Sequence, residues 1–140
     1  MRAIHILNGP NLNLLGTREP KIYGHTTLAD IEADIRATAE GRAAITFAQT
    51  NSEGALVELI HAAHAAGADV IINAAAYTHT SVAVHDALKM LTGQVIELHL
   101  SNPHAREAFR HQSYVAPTAS SVIAGFGAKG YRMAVEALLA

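Results

Sequence analysis

The 140 residues contain no cysteine. Disulfides, thiolate nucleophiles and cysteine-bound zinc are therefore excluded. Tryptophan is also absent and aromatic residues make up only 5%, while abundant alanine favours close helix packing. Neither sign of charge dominates: ten Lys and Arg stand against twelve Asp and Glu, a formal net charge of -2. That balance offers no basic footprint for nucleic acid. No apolar run approaches the ~20 residues of a membrane span. The first run, Ala3 to Leu7, is too short for a signal-peptide core. What remains is a half-apolar chain with 16% charged residues, composed to fold rather than stay disordered. A single domain over residues 1–140 with one core is expected, and a cytoplasmic location.

Apolar periodicity alternates between strand and helix along the chain. Ala3-Ile4-His5-Ile6-Leu7 reads as a buried first strand. Thr27 is a candidate N-cap for a helix carrying Leu28, Ile31 and Ile35, with Gly41 as its stop. Ala44 to Phe47 is a second strand, and Ser52 caps a helix bearing Leu56, Leu59, Ile60 and Ala63. Val70-Ile71-Ile72 lacks alternation, as a strand covered on both faces should. After Thr80-Ser81 a helix carries Val84, Leu88 and Leu91 and ends at Gly93. Val95 to Leu100 and Val122 to Ala124 are the last strands. Pro103 opens a short helix around Ala105 to Phe109, and Lys129 to Leu139 is the closing helix. The βα alternation predicts an α/β fold: a flavodoxin-like three-layer sandwich with a five-stranded parallel sheet in the order 2-1-3-4-5.

In such sheets ligands sit outside the carboxyl ends of the strands, near the switch in strand order. That rule selects Asn8, Asn11, Arg18 and Tyr23 after strand one, and Asn73, Tyr77 and His79 after strand three. At strand four it selects Glu97, His99, Ser101 and Asn102. Glu97 and His99 share a face because strand side chains repeat every two residues. A carboxylate beside an imidazole orients the ring and favours its charged form, so His99 is a candidate proton donor to a leaving oxygen; a buried structural histidine is the plain alternative. Asn73 offers amide donors and acceptors to a hydroxylated ligand, or else an Asx-turn. The Thr78 to Ser81 stretch precedes a helix, where backbone N–H groups hold an anion or simply receive a cap.

Tyr23 lies in the loop Arg18-Glu19-Pro20-Lys21-Ile22-Tyr23-Gly24. A phenol titrates near pH ~10, so about one in a thousand is ionised at neutral pH. An arginine close by favours the phenolate, and a loop carrying both would create a strong base on closing. The plain alternative is an ordinary surface tyrosine. Arg106 and Arg110, four apart, fit one face of a short helix and suit a carboxylate or surface pairs with Glu107.

Three other patterns lead elsewhere. Gly125-Phe126-Gly127-Ala128-Lys129-Gly130 matches G-x-G-x-x-G, but no βαβ unit or acidic residue follows, so a turn and close helix packing account for it. Nine histidines suggest metal, yet there is no His-Glu-x-x-His, and His61 and His64 fall on the solvated side of their helix. A phospho-receiver needs acidic residues where Asn8 and Asn73 stand.

The motifs together resemble the type II 3-dehydroquinate dehydratases. Asn8-Gly9-Pro10-Asn11-Leu12-Asn13-Leu14-Leu15-Gly16-Thr17-Arg18-Glu19-Pro20 with Tyr23-Gly24 is similar to their opening segment. Gln49-Thr50-Asn51-Ser52-Glu53-Gly54, Asn73 with Tyr77-Thr78-His79-Thr80-Ser81, Glu97-Leu98-His99-Leu100-Ser101-Asn102 and Arg106-Glu107 with Phe109-Arg110-His111 follow in family order. The resemblance implies loss of water from 3-dehydroquinate by anti elimination through an enolate, with no cofactor, metal or Schiff base. It implies Tyr23 as base, Arg18 as its activator, His99 as acid oriented by Glu97, and Asn11 holding a water at the enolate oxygen. Asn73, His79, Arg110, Ser101 and the Leu100 backbone N–H would bind substrate. Asp86 would reach a neighbouring subunit's site in a dodecamer built from trimers.

His85 stands where many members carry arginine, which bears on inter-subunit salt bridges. Ala74-Ala75-Ala76 stands where some members carry a Pro-Gly pair, with little chemical effect expected. The residue chemistry agrees: a ketone with a β-hydroxyl needs a base, an acid and an enolate stabiliser, and no lysine sits at a strand end to form an imine. The rivals are a non-catalytic flavodoxin-like binding module for a small polyhydroxylated acid, which needs neither Tyr23 nor Arg18, and a metal-assisted hydrolase, which chelation would disable.

Overall fold

The computed structural model describes residues 1–17, 21 and 24–140. Arg18 and Tyr23, two of the sequence-predicted site residues, lie outside the described residues. Five parallel strands form one sheet in the order β2-β1-β3-β4-β5, as the βα alternation predicts. They are β1 (Arg2–Asn8), β2 (Ala43–Gln49), β3 (Asp69–Asn73), β4 (Val95–His99) and β5 (Ser121–Ala124). Among the described residues, the α-helices that pack on the sheet are α1 (Leu28–Ala39), α2 (Glu53–Ala65), α3 (Val82–Leu88) and α4 (Lys129–Leu139).

Strand alternation divides the core in two. Ile4, Ile6, Ile71, Ile96 and Leu98 pack against Ile31 and Ile35 of α1 and Tyr131, Ala134, Val135 and Leu138 of α4. Leu7, Val70, Ile72 and Val95 face Leu56, Ile60 and Ala63 of α2 and Val84, Ala87 and Leu88 of α3. Both faces of the central strands are covered, which explains their continuous apolar runs.

The helix starts follow their caps. Thr27 and Asp30 form a reciprocal capping box on α1, and the Ser52 and Ser81 hydroxyls accept from Ala55 N–H and Val84 N–H. Each such cap is worth about 1 kcal/mol. His61 and His64 are exposed on α2. The glycine motif serves packing: a Cβ on Gly130 would sit 2.8 Å from the Leu98 side chain.

Two elements depart from the periodic reading. α3 stops at Leu88, because the chain must turn to bring Gln94 onto β3: Gln94 N–H donates to Asp69 Oδ1 at 2.8 Å, and Val70 N–H to Gln94 O at 2.8 Å. The helix expected around Ala105 to Phe109 is two separate 3-10 turns, Pro103–Ala105 and Ala108–Arg110. Arg106 between them is extended, at φ -113° and ψ -162°.

Candidate active site

The carboxyl ends of β1, β3 and β4 open onto a cleft of about 230 Å³ lined by Asn11, Asn73, His79, His99, Ser101 and Arg110, with Leu100, Arg106 and apolar neighbours between them. Seven expected residues, Asn11, Asn73, His79, His99, Leu100, Ser101 and Arg110, thus share one cavity. Glu97 stands behind His99. Asp86 does not line the cleft of its own chain; it is exposed on α3.

The β1 side is shaped by close backbone approach. Gly9 N–H donates to Asn73 O at 2.8 Å, and a Cβ on Gly9 would lie 2.4 Å from Ala74 O. Asn11 follows at φ 72°, a left-handed conformation that asparagine tolerates better than most residues. Asn51 holds it there: its Oδ1 accepts from Asn11 N–H at 2.9 Å and from Gln49 Nε2 at 3.1 Å, while its carbonyl accepts from Tyr77 Oη at 2.9 Å.

Asn73 is oriented from below. Its Nδ2 donates to Tyr131 Oη at 3.2 Å, and Tyr131 Oη donates to Asn8 Oδ1 at 2.6 Å. Burial pushes the Tyr131 phenol far above its usual range, so it stays a neutral donor. Asn73 Oδ1 accepts from Ala75 N–H at 3.2 Å, an Asx-turn in the wall of the cleft. Ala75 has φ 52°. Left-handed backbone disfavours a Cβ, so Ala75 gives the alanine run at 74–76 a conformational consequence, distinct from the small chemical effect expected of it.

On the β4 side, His99 Nε2 lies 2.5 Å from Glu97 Oε2, and both residues are buried. The Glu97–His99 pairing expected from strand alternation is therefore present. The His79 and His99 rings stack, with centroids 6.2 Å apart. Burial holds the His79 imidazole below its ordinary value, with the His99 and Arg110 charges acting in the same direction. His79 Nδ1 lies 2.8 Å from Gln112 O. A carbonyl only accepts, so Nδ1 carries the hydrogen and a neutral His79 offers Nε2 as an acceptor.

Two arginines close the far wall. Arg106 Nη1 donates to Ser101 Oγ at 3.3 Å, and Arg110 Nε to Glu107 Oε1 at 2.9 Å. A backbone hydrogen bond of its own, then the Arg110 hydrogen bond and the charges of Arg110 and Arg106, hold Glu107 below the usual carboxylate range. Arg106 lines the cleft but was not singled out over Arg110 by its spacing. Ser113, which donates to Glu97 Oε2 at 2.9 Å, carried no sequence signal at all. A second cavity of about 250 Å³ lies against Glu97, His99, His104, His111 and Ser113. His85 Nδ1 donates to Tyr114 O at 2.7 Å, so it is used within its own chain. Among the described residues, no group of three or more His, Asp or Glu is arranged to hold a metal ion, and no helix is long and apolar enough to cross a membrane.

The profile of the family described as Dehydroquinase class II matches residues 2–139. The chain belongs to the class II dehydroquinase family. A relative named 3-dehydroquinate dehydratase from Hyphomonas neptunium is 60% identical over 138 residues, covering 99% of this chain and 93% of that protein. The 3-dehydroquinate dehydratase 2 of Pseudomonas aeruginosa is 57% identical over 136 residues, covering 96% and 92%. The crystal structure of the type II dehydroquinase from Propionibacterium acnes superposes with a TM-score of 0.96 at 42% identity, over 99% of this chain and 97% of that one. The class II dehydroquinase fold therefore extends over nearly the whole chain.

Proposed function

We propose that this protein is a type II 3-dehydroquinate dehydratase acting in the shikimate pathway. Its substrate is 3-dehydroquinate and its product 3-dehydroshikimate. The observation that carries the reading is the buried Glu97–His99 pair in the wall of a small polar cleft, in a chain of the class II dehydroquinase family.

In this reading Tyr23, as phenolate, takes the proton α to the ketone. Arg18 lowers the cost of that phenolate and of the enolate that follows. Asn11 holds a water against the enolate oxygen. His99, as imidazolium, protonates the departing hydroxyl from the opposite face, so the elimination is anti and needs neither metal nor imine. The imidazolium becomes imidazole and the phenolate becomes phenol. One proton passing back from Tyr23 to His99 resets both. Asn73, the His79 acceptor nitrogen, Ser101, the Leu100 N–H and Arg110 bind the hydroxyls and carboxylate of the substrate. The whole chain acts as one catalytic unit in the cytoplasm, and Asp86 serves a neighbouring subunit's site within a dodecamer of trimers.

The test is to add 3-dehydroquinate and follow the conjugated enone of the product in the ultraviolet. Tyr23→Phe is expected to lower kcat by about three orders of magnitude or more while substrate still binds. Near-normal turnover by that variant removes Tyr23 as the base.

A further inference from the structure

Two residues along a strand are separated by about 6.6 Å. Glu97 nevertheless places Oε2 within 2.5 Å of His99 Nε2, so its side chain runs along β4 instead of standing away from it. Ser113 holds it in that position. The Ser113 Oγ accepts from Val115 N–H at 3.1 Å and from Ala116 N–H at 3.0 Å. Both of its acceptor positions are filled, which leaves its single hydrogen for Glu97 Oε2 at 2.9 Å. The segment around Ser113 is itself pinned. Tyr114 N–H donates to Thr78 O at 2.8 Å, Tyr114 O accepts from His85 Nδ1, and Val115 is buried in the core. Glu97 Oε2 thus takes two hydrogen bonds, while the buried Oε1 has no partner among the described residues.

We infer that Ser113 is a positioning residue for the acid of the reaction. It fixes the Glu97 carboxylate so that His99 keeps its hydrogen on Nε2 and delivers a proton from Nδ1. Glu97 as a carboxylate only accepts, so Oε2 takes hydrogens from both Ser113 and His99, and Nε2 is the donor of the short bond. This inference rests on the reading of His99 as the acid of the dehydration. A serine that merely opened the following 3-10 turn, Ala116–Thr118, would affect stability but would not act through Glu97.

The experiment is a double-mutant cycle on the intact protein, following kcat and KM for 3-dehydroquinate. Ser113→Ala is expected to lower kcat about tenfold with KM within about twofold, because the interaction acts on the acid and not on ground-state binding. In a Glu97→Gln background the same substitution is expected to change kcat by less than about twofold, since the two residues act as one unit. Ser113→Thr, which keeps the hydroxyl, is expected to restore most of the rate. If Ser113→Ala does not fold, Ser113→Cys, a weaker donor of similar size, enters the same cycle with the same expectation. Equal losses in both backgrounds, or full activity of Ser113→Ala, overturn the inference and leave the dehydratase reading standing. A wild-type protein that does not dehydrate 3-dehydroquinate overturns both.

Discussion

Ala75→Gly should make this protein more stable, although glycine usually weakens a fold. Ala75 lines the cleft with φ 52°. Left-handed backbone costs a residue with a Cβ roughly 1–2 kcal/mol. Glycine removes that cost but adds about 0.4–1 kcal/mol of unfolded-state freedom. The net expectation is a gain of about 0.5–1 kcal/mol. Unfolding entropy of about 2.1 cal/mol/K per residue gives about 0.3 kcal/mol/K for a chain of this length, hence a rise in Tm of about 2–3 °C. The assay is thermal unfolding by calorimetry or circular dichroism, at one fixed protein concentration so that any assembly contributes equally. The Ala75 N–H that Asn73 Oδ1 receives is retained by glycine, so kcat/KM should change less than about twofold. A Tm lowered by the substitution refutes the reasoning, because it would mean that the alanine is unstrained in the folded protein.

Tyr131→Phe removes the hydroxyl between the buried Asn8 and Asn73 amides. It should cost about 1–3 kcal/mol and raise KM by releasing Asn73; denaturant unfolding and steady-state kinetics check both, and the lower end applies if the two amides, register partners in β1 and β3, bond directly. Gly9→Ala drives a Cβ to 2.4 Å from Ala74 O, so Tm and activity should both fall, at a cost of about 1–3 kcal/mol; an unaffected variant would mean that the close approach is dispensable. Burial lowers both the His5 and His79 imidazoles. The unfolded chain therefore binds protons that the folded one refuses, and stability should be level above about pH 7 and fall as pH drops through about 6.5 and below. Tm followed against pH, with His5→Gln flattening the slope, tests the sign.

Much of the architecture was legible because local signals agreed with the final fold. Thr27, Ser52 and Ser81 each cap the helix that their residue type marks. Period-two alternation was enough to bring Glu97 and His99 together. The carboxyl-end rule gathered Asn11 after β1, Asn73 and His79 after β3 and His99 from β4 into one cleft. What escaped the sequence depends on distant partners. Leu91 continues the helical period, yet α3 ends sooner because Asp69 captures Gln94. Arg106 and Arg110 reach the cleft from two turns and not from one helix face. Ser113 meets Glu97 across 16 residues, a contact without periodicity. The left-handed backbone at Ala75 is invisible in an alanine run, because the residue type argues against it.

The hydrogen-bonded chain from Asn8 through Tyr131 to Asn73 spans 123 residues on one side and 58 on the other. That chain can close only after α4 has docked on the sheet. During synthesis the cleft therefore matures late: a nascent chain lacking α4 would already hold β1 and β3, but their asparagines would have no phenol to set their direction.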